Sequence, residues 1–274
     1  MPKMSAVMNS LTYVWINMNK YIIILLVFFS IVFTQSTLAA KNSKISRPDL
    51  IQAYLWLKTA GEYQVLCKQA YKLAKYRVDE YLLKNKNKSN NKLAIVLDID
   101  ETVLSSVPFF DKYIKDSNYS WMDWAKLSQS TLIPGSKKFL NYVKSLNIEI
   151  IYVTNRSFKL KKVTLKNLKK YKLPLNSNLV YFKYGKNHSK ENHRIKIRKK
   201  YDVILYLGDN LGDFLDVLDN VSKRNSLAIK DDLFGEKFII FPNPIYGGWD
   251  RAIFKKRINN FDKRMKFIEN NSVL

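Results

Sequence analysis

Two carboxylates spaced two residues apart carry the clearest chemical signal in the sequence. Asp98 and Asp100 lie in the motif DIDET, which directly follows the apolar run 93–97. Residues two apart in an extended chain point to the same side, so both carboxylates can face one ligand. One can attack as a nucleophile while the other transfers protons, if their surroundings separate their pKa values. A Mg²⁺ ion beside them would keep the attacking carboxylate ionised, and we therefore predict a magnesium site here.

Further polar side chains follow two later apolar runs. Thr154 and Asn155 follow one run, and Asp209 follows another, with Asp213 four residues on. The Thr154 hydroxyl could hydrogen-bond a phosphoryl oxygen, although Thr and Asn also serve well as helix N-caps. Asp209 can reach a metal ion held at the first run. Asp213 can orient a lysine or the water around the ion, or it can cap a helix as an acid in the first turn.

Lys190 offers a positive charge in the segment HSKENHR, where a helix is predicted to begin. A fixed ammonium would neutralise charge on a transferring phosphoryl group. One lysine among 47 lysines and arginines is weak evidence by itself. The two histidines, His188 and His193, are five residues apart, which is a poor spacing for two ligands on one helix face. We predict that both are surface residues.

The elements that must position these residues follow two alternating patterns. Continuous apolar runs, typical of strands buried on both faces, alternate with apolar residues at helical spacing. The runs are 93–97, 148–153, 179–182, 203–207 and 238–241, and the helical patterns are 136–146, 158–171, 189–200 and 211–218. This order predicts an α/β fold with a Rossmann-like, mostly parallel sheet flanked by helices. Such sheets bind ligands at the carboxyl ends of their strands, where the polar residues lie.

The segment before the first strand predicts two helices. Apolar residues recur at helical spacing over 49–84, and Gly61 divides the pattern. Cys67 lies within it, where a small buried side chain is its expected role. As the single cysteine of the chain, Cys67 excludes an intrachain disulfide and a cysteine-based zinc site.

The N-terminus has the order of a secretory signal. Residues 21–33 are apolar at all but one position, follow Lys20 and precede small residues. The run is shorter than the roughly 20 residues that a membrane-spanning helix needs. We predict cleavage after Ala39 and a periplasmic or secreted protein. An uncleaved segment acting as a membrane anchor stays open, as does a start at Met18 instead of Met1.

The charge balance is strongly basic. The 47 lysines and arginines against 23 acidic residues give a net charge of +24, which attracts phosphates, nucleic acid or anionic membranes. Within the basic run 159–172, however, apolar residues keep a helical spacing. That pattern favours the solvated outer face of a helix packed on the sheet. We therefore expect no nucleic-acid partner, while a homo-oligomer stays open.

Several segments together resemble the phosphatases of the haloacid dehalogenase superfamily, and more closely its class C acid phosphatases. They are IVLDIDETVL, the pair Trp121 and Trp124, QSTLIPG (129–135), IYVTNR (151–156), LYLGDNLGDF (206–214) and FPNPIYGGW (241–249). The resemblance runs from about Leu93 to Trp249. It implies the haloacid dehalogenase fold with a helical cap over the site.

The resemblance also implies a role for each polar residue. Asp98 would be the nucleophile that forms a phospho-aspartate, and Asp100 the general acid/base. The implied phosphate-binding residues are Thr154 and Lys190, with Lys186 as the alternative lysine, and we predict that Asn155 also binds the phosphate. The implied Mg²⁺ ligands are Asp98, the backbone carbonyl of Asp100 and Asp209, with Asp213 in support. Trp121 and Tyr246 match aromatics that sandwich the substrate's ring, and Gly247 and Gly248 would let the loop of Tyr246 approach a ligand closely.

The predicted organisation combines these expectations. It comprises a signal peptide (1–39), N-terminal helices that contribute to the cap (40–91), an α/β core (92–249) with an inserted cap segment at about 105–133, and a C-terminal helix (250–274). Three features depart from the family pattern: residues 105–109 read SSVPF where Asn and then Pro-Tyr are common, Gly212 stands where an acid often precedes Asp213, and no Cys follows the signal. They bear on substrate preference and anchoring, and none removes a predicted catalytic residue.

The function predicted from these features is that of an exported, Mg²⁺-dependent acid phosphatase acting on small phosphomonoesters, with nucleoside monophosphates among the candidates. Dehalogenation on the same fold does not need the second acid, so Asp100 favours phosphoryl chemistry. The alternative is a basic, non-catalytic binding or storage-type protein of the cell envelope on the same fold. Plant storage relatives can lack the nucleophile, whereas this chain keeps Asp98.

Overall fold

The structure is a computed structural model that describes Lys20 and residues 45–85, 92–185, 189–219, 224, 232–254 and 260–270. The predicted signal peptide apart from Lys20, its cleavage site, Lys186 and His188 lie outside these residues. The chain divides into two units, 1–45 and 46–274, and the elements below belong to the second. Within the described part of the chain, no helix has the length and apolar character needed to cross a membrane.

A five-stranded parallel sheet organises the second unit. The strands are β1 (Lys92–Leu97), β2 (Leu104–Ser105), β3 (Thr131–Leu132), β4 (Glu149–Ser157), β5 (Val180–Lys183), β6 (Tyr201–Gly208) and β7 (Phe238–Ile240). Five of them pair in the order β5-β4-β1-β6-β7, with every pairing parallel, while β2 and β3 form an antiparallel pair. The predicted α/β fold is confirmed, and each predicted strand is present within a few residues of its expected bounds.

The central strand β1 shows why the predicted strands are continuous apolar runs. Ile95 and Leu97 belong to one buried apolar cluster, and Ala94 and Val96 belong to another. Alternate side chains of a strand point to opposite faces of the sheet, and here both faces are covered. Because β1 lies in the middle of the strand order, Asp98 emerges at the centre of the sheet's carboxyl edge.

Strand β4 extends from its predicted end at residue 153 to Ser157. Thr154 and Asn155 therefore lie in the strand, and the alternative that they cap a helix is wrong. The strand continues because β5 pairs with it as far as Ser157, opposite Lys183. Ser157 provides the cap instead: its hydroxyl accepts a hydrogen bond from the N–H of Lys159 (3.3 Å).

The helices flank the sheet and extend the chain at both ends. They are α1 (Ile51–Thr59), α2 (Gly61–Lys84), α3 (Val107–Tyr113), α4 (Trp121–Lys126), α5 (Ser136–Ser145), α6 (Lys161–Lys170), α7 (Glu191–Arg198), α8 (Gly248–Phe254) and α9 (Phe261–Asn270). The predicted break at Gly61 is confirmed, since α2 begins there. Helix α2 buries one face, which includes Cys67 in the buried role expected of it.

Two predicted helices differ from the structure. The pattern at 211–218 forms two short 3-10 turns, Leu211–Asp213 and Asp216–Asp219. Gly212 disfavours a regular helix, and the Asp213 carboxylate turns back to accept a hydrogen bond from the N–H of Asn210 (3.0 Å). At the C-terminus the described residues form the two helices α8 and α9 in place of a single predicted helix.

The inserted segment between β1 and α5 contains α3 and α4. It is closed at its base by the β2–β3 pair, in which Leu104 lies opposite Leu132. Its interior is aromatic, with Phe109, Phe110 and Trp124 buried. Helix α1 packs against α3, and Lys58 forms an ion pair with Asp111 (2.6 Å). The N-terminal helices and the inserted segment are therefore in contact, as the predicted shared cap requires.

Candidate active site

Three carboxylates meet where β1 and β6 end. Asp98 is buried, and its N–H donates to the carbonyl oxygen of Leu207 on β6 (3.0 Å). This backbone contact places it beside Asp209, which directly follows β6. One oxygen each from Asp98, Asp209 and Asp213 lies within 4.8 Å of the others. The structure thus brings together the three carboxylates predicted for the metal site. Asp100 was predicted to contribute its backbone carbonyl, and its side chain lies outside this cluster.

The cluster has the chemistry of a site for a hard cation. Burial raises the pKa of Asp98 to about 7, an effect that Lys190 opposes and that the carboxylate of Asp213 reinforces. Burial, together with Asp213 and Asp98, also raises the pKa of Asp209 well above its usual range. Three anionic oxygens at this spacing repel one another unless protons or a cation intervene. Oxygen donors in this number fit a divalent ion such as Mg²⁺.

Lys190 lies directly before α7 and points into this cluster. Its ammonium pairs with Asp98 and with Asp213, the second at 2.7 Å. Although burial opposes it, the pKa of Lys190 is raised overall by the carboxylates of Asp213 and Asp98. The group therefore stays charged at neutral pH despite being buried. The predicted ability of Asp213 to orient a lysine is confirmed at this contact, and so is its ability to cap a turn.

Gly208 makes room for the Asp213 carboxylate. A Cβ atom added at Gly208 would lie 2.4 Å from Oδ2 of Asp213 and 2.5 Å from its Cβ. No side chain fits at that distance, so the glycine of the GDN motif allows the carboxylate to reach Lys190. The sequence analysis singled out Asp209 and Asp213 but not Gly208, which lets Asp213 approach.

The end of β4 contributes Thr154, Asn155 and Arg156 in different ways. Thr154 is buried, and its hydroxyl oxygen accepts a hydrogen bond from the N–H of Arg156 (3.1 Å), which leaves the hydroxyl proton available for a phosphoryl oxygen. Asn155 is exposed, and its side chain makes no hydrogen bond to another described residue. Its phosphate-binding role stays a prediction.

Arg156 is a site residue that the sequence analysis missed. Its guanidinium forms a two-point ion pair with Asp100, at 2.7 Å between Nη2 and Oδ1. The signal was present in the sequence, because Arg156 lies two residues after Thr154 and so shares its side of the strand. It was hidden by the many other basic residues.

Glu101 is a second site residue that the sequence analysis missed. It is buried, adopts a left-handed backbone conformation (φ 56°) and accepts a hydrogen bond from the N–H of Ser106 (2.6 Å). Burial raises its pKa to about 7. Through Ser106, at the start of α3, Glu101 links the turn that carries Asp100 to the inserted segment.

The two predicted aromatic residues belong to one cluster. Trp121 packs edge-on against Phe109 (5.2 Å between ring centres), and Tyr246 stacks on Phe110 (5.9 Å). Phe109 and Phe110 contact each other and so bridge the two predicted residues. Both adjoin the polar site: the Trp121 ring lies 5.9 Å from the guanidinium carbon of Arg156, and carboxylates next to Tyr246 add to the effect of burial in raising the pKa of its phenol.

Gly248 packs closely against other residues of the protein, and its expected role in approaching a ligand stays a prediction. A Cβ at this position would lie 1.8 Å from Nη1 of Arg224 and 2.8 Å from the side-chain oxygen of Asn210. The missing side chain therefore makes room for Arg224. Gly247 does adopt a positive φ (154°), which turns the loop after Tyr246.

A parallel sheet with an aspartate pair after its central strand, surrounded by a buried lysine and two further acids, defines an α/β phosphohydrolase of the haloacid dehalogenase type. Residues 31–249 match the family described as HAD superfamily, subfamily IIIB (acid phosphatase). The chain belongs to this family. It is accordingly a phosphomonoesterase, as the sequence predicted.

Solved structures and curated relatives agree with this assignment to different degrees. Two structures of the class C acid phosphatase from Bacillus anthracis, one with tungstate bound, are 34% identical and superpose with TM-scores of 0.75 and 0.74; each match covers 81% of this chain and 96% of that chain. Vegetative storage proteins 1 and 2 of Arabidopsis thaliana are 26% and 28% identical over 213 residues, covering 73% and 72% of this chain and 71% and 70% of theirs.

Proposed function

We propose that this acid phosphatase hydrolyses phosphomonoesters through a phospho-aspartate on Asp98, with Mg²⁺ as its cofactor. The observation that carries the proposal is the meeting of Asp98 with Lys190 and with the acids Asp209 and Asp213 at the carboxyl edge of the sheet. A buried carboxylate next to a fixed ammonium can attack an anionic phosphoryl group, because the ammonium offsets the repulsion between the two anions.

The reaction would proceed in two proton-linked steps. An oxygen of Asp98 attacks phosphorus, the bond to the ester oxygen breaks, and Asp100 gives its proton to that oxygen as the alcohol leaves. A water molecule then attacks the phosphorus of the phospho-aspartate, Asp100 takes a proton from the water, and phosphate and free Asp98 are released. Lys190 and the Thr154 hydroxyl would hold the phosphoryl oxygens during both steps.

The metal would be held by the cluster already described. Asp98 and Asp209 would be ligands, with the backbone carbonyl of Asp100, while Asp213 would act in support. When bound, Mg²⁺ supplies positive charge that stabilises the transferring phosphoryl group. Asn243 donates to Oδ2 of Asp209 (2.8 Å) and so fixes the carboxylate that would bind the ion.

The substrates that we propose carry a flat aromatic leaving group, such as nucleoside monophosphates and aryl phosphates. Trp121 and Tyr246 stand beside the polar site within one aromatic cluster. Tungstate in the 34% identical bacterial structure is a tetrahedral oxyanion like phosphate, which supports phosphate binding by the polar part of the site. No nucleic-acid partner is proposed.

We further propose export with loss of residues 1–39, which gives a periplasmic or secreted enzyme. The basis is the order of the N-terminal sequence: Lys20, then an apolar run too short for a spanning helix, then small residues. Mass spectrometry of the mature chain would test this, because a first residue before position 30 contradicts cleavage at the predicted site.

A storage-type function is the second candidate, since two relatives carry that name. The test is release of inorganic phosphate from a panel of monoesters, with and without chelator, by wild type and by Asp98→Asn. We expect metal-dependent turnover that the substitution abolishes. A chain that binds phosphate-rich polymers with steep salt dependence and releases no phosphate would favour the second candidate.

A further inference from the structure

The guanidinium of Arg156 binds the Asp100 carboxylate through two of its nitrogens, Nε and Nη2. Its Nε lies 3.1 Å from Oδ1 and 3.0 Å from Oδ2 of Asp100, and its Nη2 lies 2.7 Å from Oδ1. The planar fork of an arginine matches the geometry of a carboxylate, so a contact of this kind fixes the plane of the carboxylate as well as its position.

The two partners differ in exposure. The Arg156 side chain is 2% exposed, whereas the Asp100 side chain is 17% exposed. The guanidinium therefore supports the carboxylate from its buried side and leaves an edge accessible. Oδ1 accepts two hydrogen bonds from Arg156 and Oδ2 accepts one, so Oδ2 keeps a lone pair that can carry a proton.

Arg156 is itself fixed from two directions. Its Nη1 donates to Oγ1 of Thr164 on α6 (3.2 Å), and its Nη2 donates to Oγ of Ser130, beside β3 (3.1 Å). Ser130 is held in turn by Asn167 through its N–H (3.1 Å) and its carbonyl oxygen (3.0 Å). The position of Asp100 is thus tied to Thr164 on α6 and to Ser130 beside β3, both of which are far from it in sequence.

We propose that Arg156 is the positioning residue of the general acid/base, holding Asp100 where its free oxygen meets the leaving group. The inference rests on the proposed function, because Arg156 acts through Asp100. As the bond between phosphorus and the ester oxygen breaks, the electron pair stays on that oxygen and Asp100 supplies the proton. Proton donation matters most for poor leaving groups such as alkyl alcohols and least for acidic phenols.

Two other roles for Arg156 make different predictions. An arginine that binds the substrate's phosphate directly would be needed equally for every ester, because all esters share the phosphate. An arginine that only supports the fold would lower thermal stability and all activities together. Only a positioning role predicts that the loss in kcat/KM depends on the leaving group.

The experiment compares kcat/KM of wild type, Arg156→Met and Asp100→Asn on aryl phosphates of graded leaving-group pKa and on one alkyl phosphate. For both variants we expect a loss of roughly 10²-fold or more on the alkyl phosphate, within the range of a general acid, and a much smaller loss on the most acidic phenol. Arg156→Lys, which keeps the charge without the fork, should lie between wild type and Arg156→Met. Arg198→Met, at an exposed arginine paired with Glu191, is the matched control and should change nothing.

The outcomes separate the inference from the function on which it rests. An equal loss on every substrate in Arg156→Met, with Asp100→Asn still selective, overturns the positioning role and leaves the proposed function intact. An equal loss in Asp100→Asn overturns the acid/base assignment and the inference with it. The double variant Arg156→Met/Asp100→Asn should lose no more than Asp100→Asn alone, since the two residues act as one unit.

A folding failure of Arg156→Met would still leave a test. Ser130→Ala removes one hydrogen bond to the guanidinium and leaves every charge in place. We expect the same dependence on the leaving group, with a smaller amplitude of a few-fold and an unchanged Tm. A Ser130→Ala enzyme whose losses are equal across the series contradicts the positioning role.

Discussion

Two parts of the candidate active site are held together by different physical interactions. The catalytic floor consists of Asp98, Lys190, Asp209 and Asp213, and the cap face consists of Phe109, Phe110, Trp121 and Tyr246. In the catalytic floor, charged groups contact each other directly, with Lys190 2.7 Å from Asp213. In the cap face, rings pack 5.1–5.9 Å apart between centres.

This difference indicates which part of the site depends on precise side-chain geometry. Ion pairs and hydrogen bonds weaken steeply with distance and angle, so the catalytic floor tolerates little displacement. Apolar contacts depend on buried area and have no fixed direction, so the cap face can repack around different substrates. We therefore expect substitutions in the catalytic floor to stop catalysis on every substrate and substitutions in the cap face to change substrate preference.

The largest expected effect is that of Asp98→Asn. An amide cannot form the phospho-aspartate, so turnover should fall to background on all substrates while the fold persists. Asp202→Asn is a matched control, because Asp202 lies near the amino end of β6, whereas the site lies at the carboxyl ends of the strands. Phosphate release and circular dichroism measure the two properties. Near-normal turnover by purified Asp98→Asn would contradict the nucleophilic role of Asp98 and the mechanism proposed for the catalytic floor.

Metal removal should have the next largest effect. We expect exhaustive chelation to lower kcat by at least about 10²-fold and added Mg²⁺ to restore it, since the cluster offers only oxygen ligands. Asp209→Asn should raise the Mg²⁺ concentration for half-maximal activity at least 10-fold, a shift on the scale of ligand-shell substitutions. Full activity in the chelated enzyme would contradict the assignment of the cluster.

Gly208→Ala tests how little displacement the catalytic floor tolerates. The added methyl group would collide with Asp213 and push its carboxylate away from Lys190. Because a misplacement of about 1 Å can cost roughly 10²-fold in rate, we expect a loss of that size in kcat/KM on all substrates. Gly61→Ala, where a Cβ meets nothing within 4 Å, is the control and should retain activity. Equal activity of the two variants would show that the contact is unimportant.

Tyr246→Ala should have the smallest and most selective effect. Loss of one stacking ring costs about 1–3 kcal/mol, or roughly 5- to 150-fold in kcat/KM for an aryl phosphate. A small aliphatic phosphate should lose far less, because it has no ring to stack. Tyr76→Ala, at an exposed tyrosine of α2, is the matched control. An equal loss on both substrates would mean that the cap face contributes packing and no selectivity.

The amino-acid sequence by itself determined the elements and the location of the site. Strand β1 and the residues after it were predictable because a strand buried on both faces must be a continuous apolar run, and because side-chain direction along it alternates locally. The same logic located Asp209 after β6. The helical spacing of apolar residues at 211–218 predicted a helix that does not form. The Asp213 carboxylate instead accepts a hydrogen bond from the N–H of Asn210, and the segment adopts short 3-10 turns.

Only the tertiary structure decided which side chains share a contact. Lys190 reaches Asp98 from 92 residues away, and Arg156 reaches Asp100 from 56 residues away, so neither partner can be read from spacing. Among 47 lysines and arginines, these two are buried against the carboxylates that follow β1, and that burial depends on how the chain folds around the sheet. The sequence therefore located the acids, while the tertiary structure brought Arg156, on the neighbouring strand β4, and Lys190, directly before α7, into contact with them.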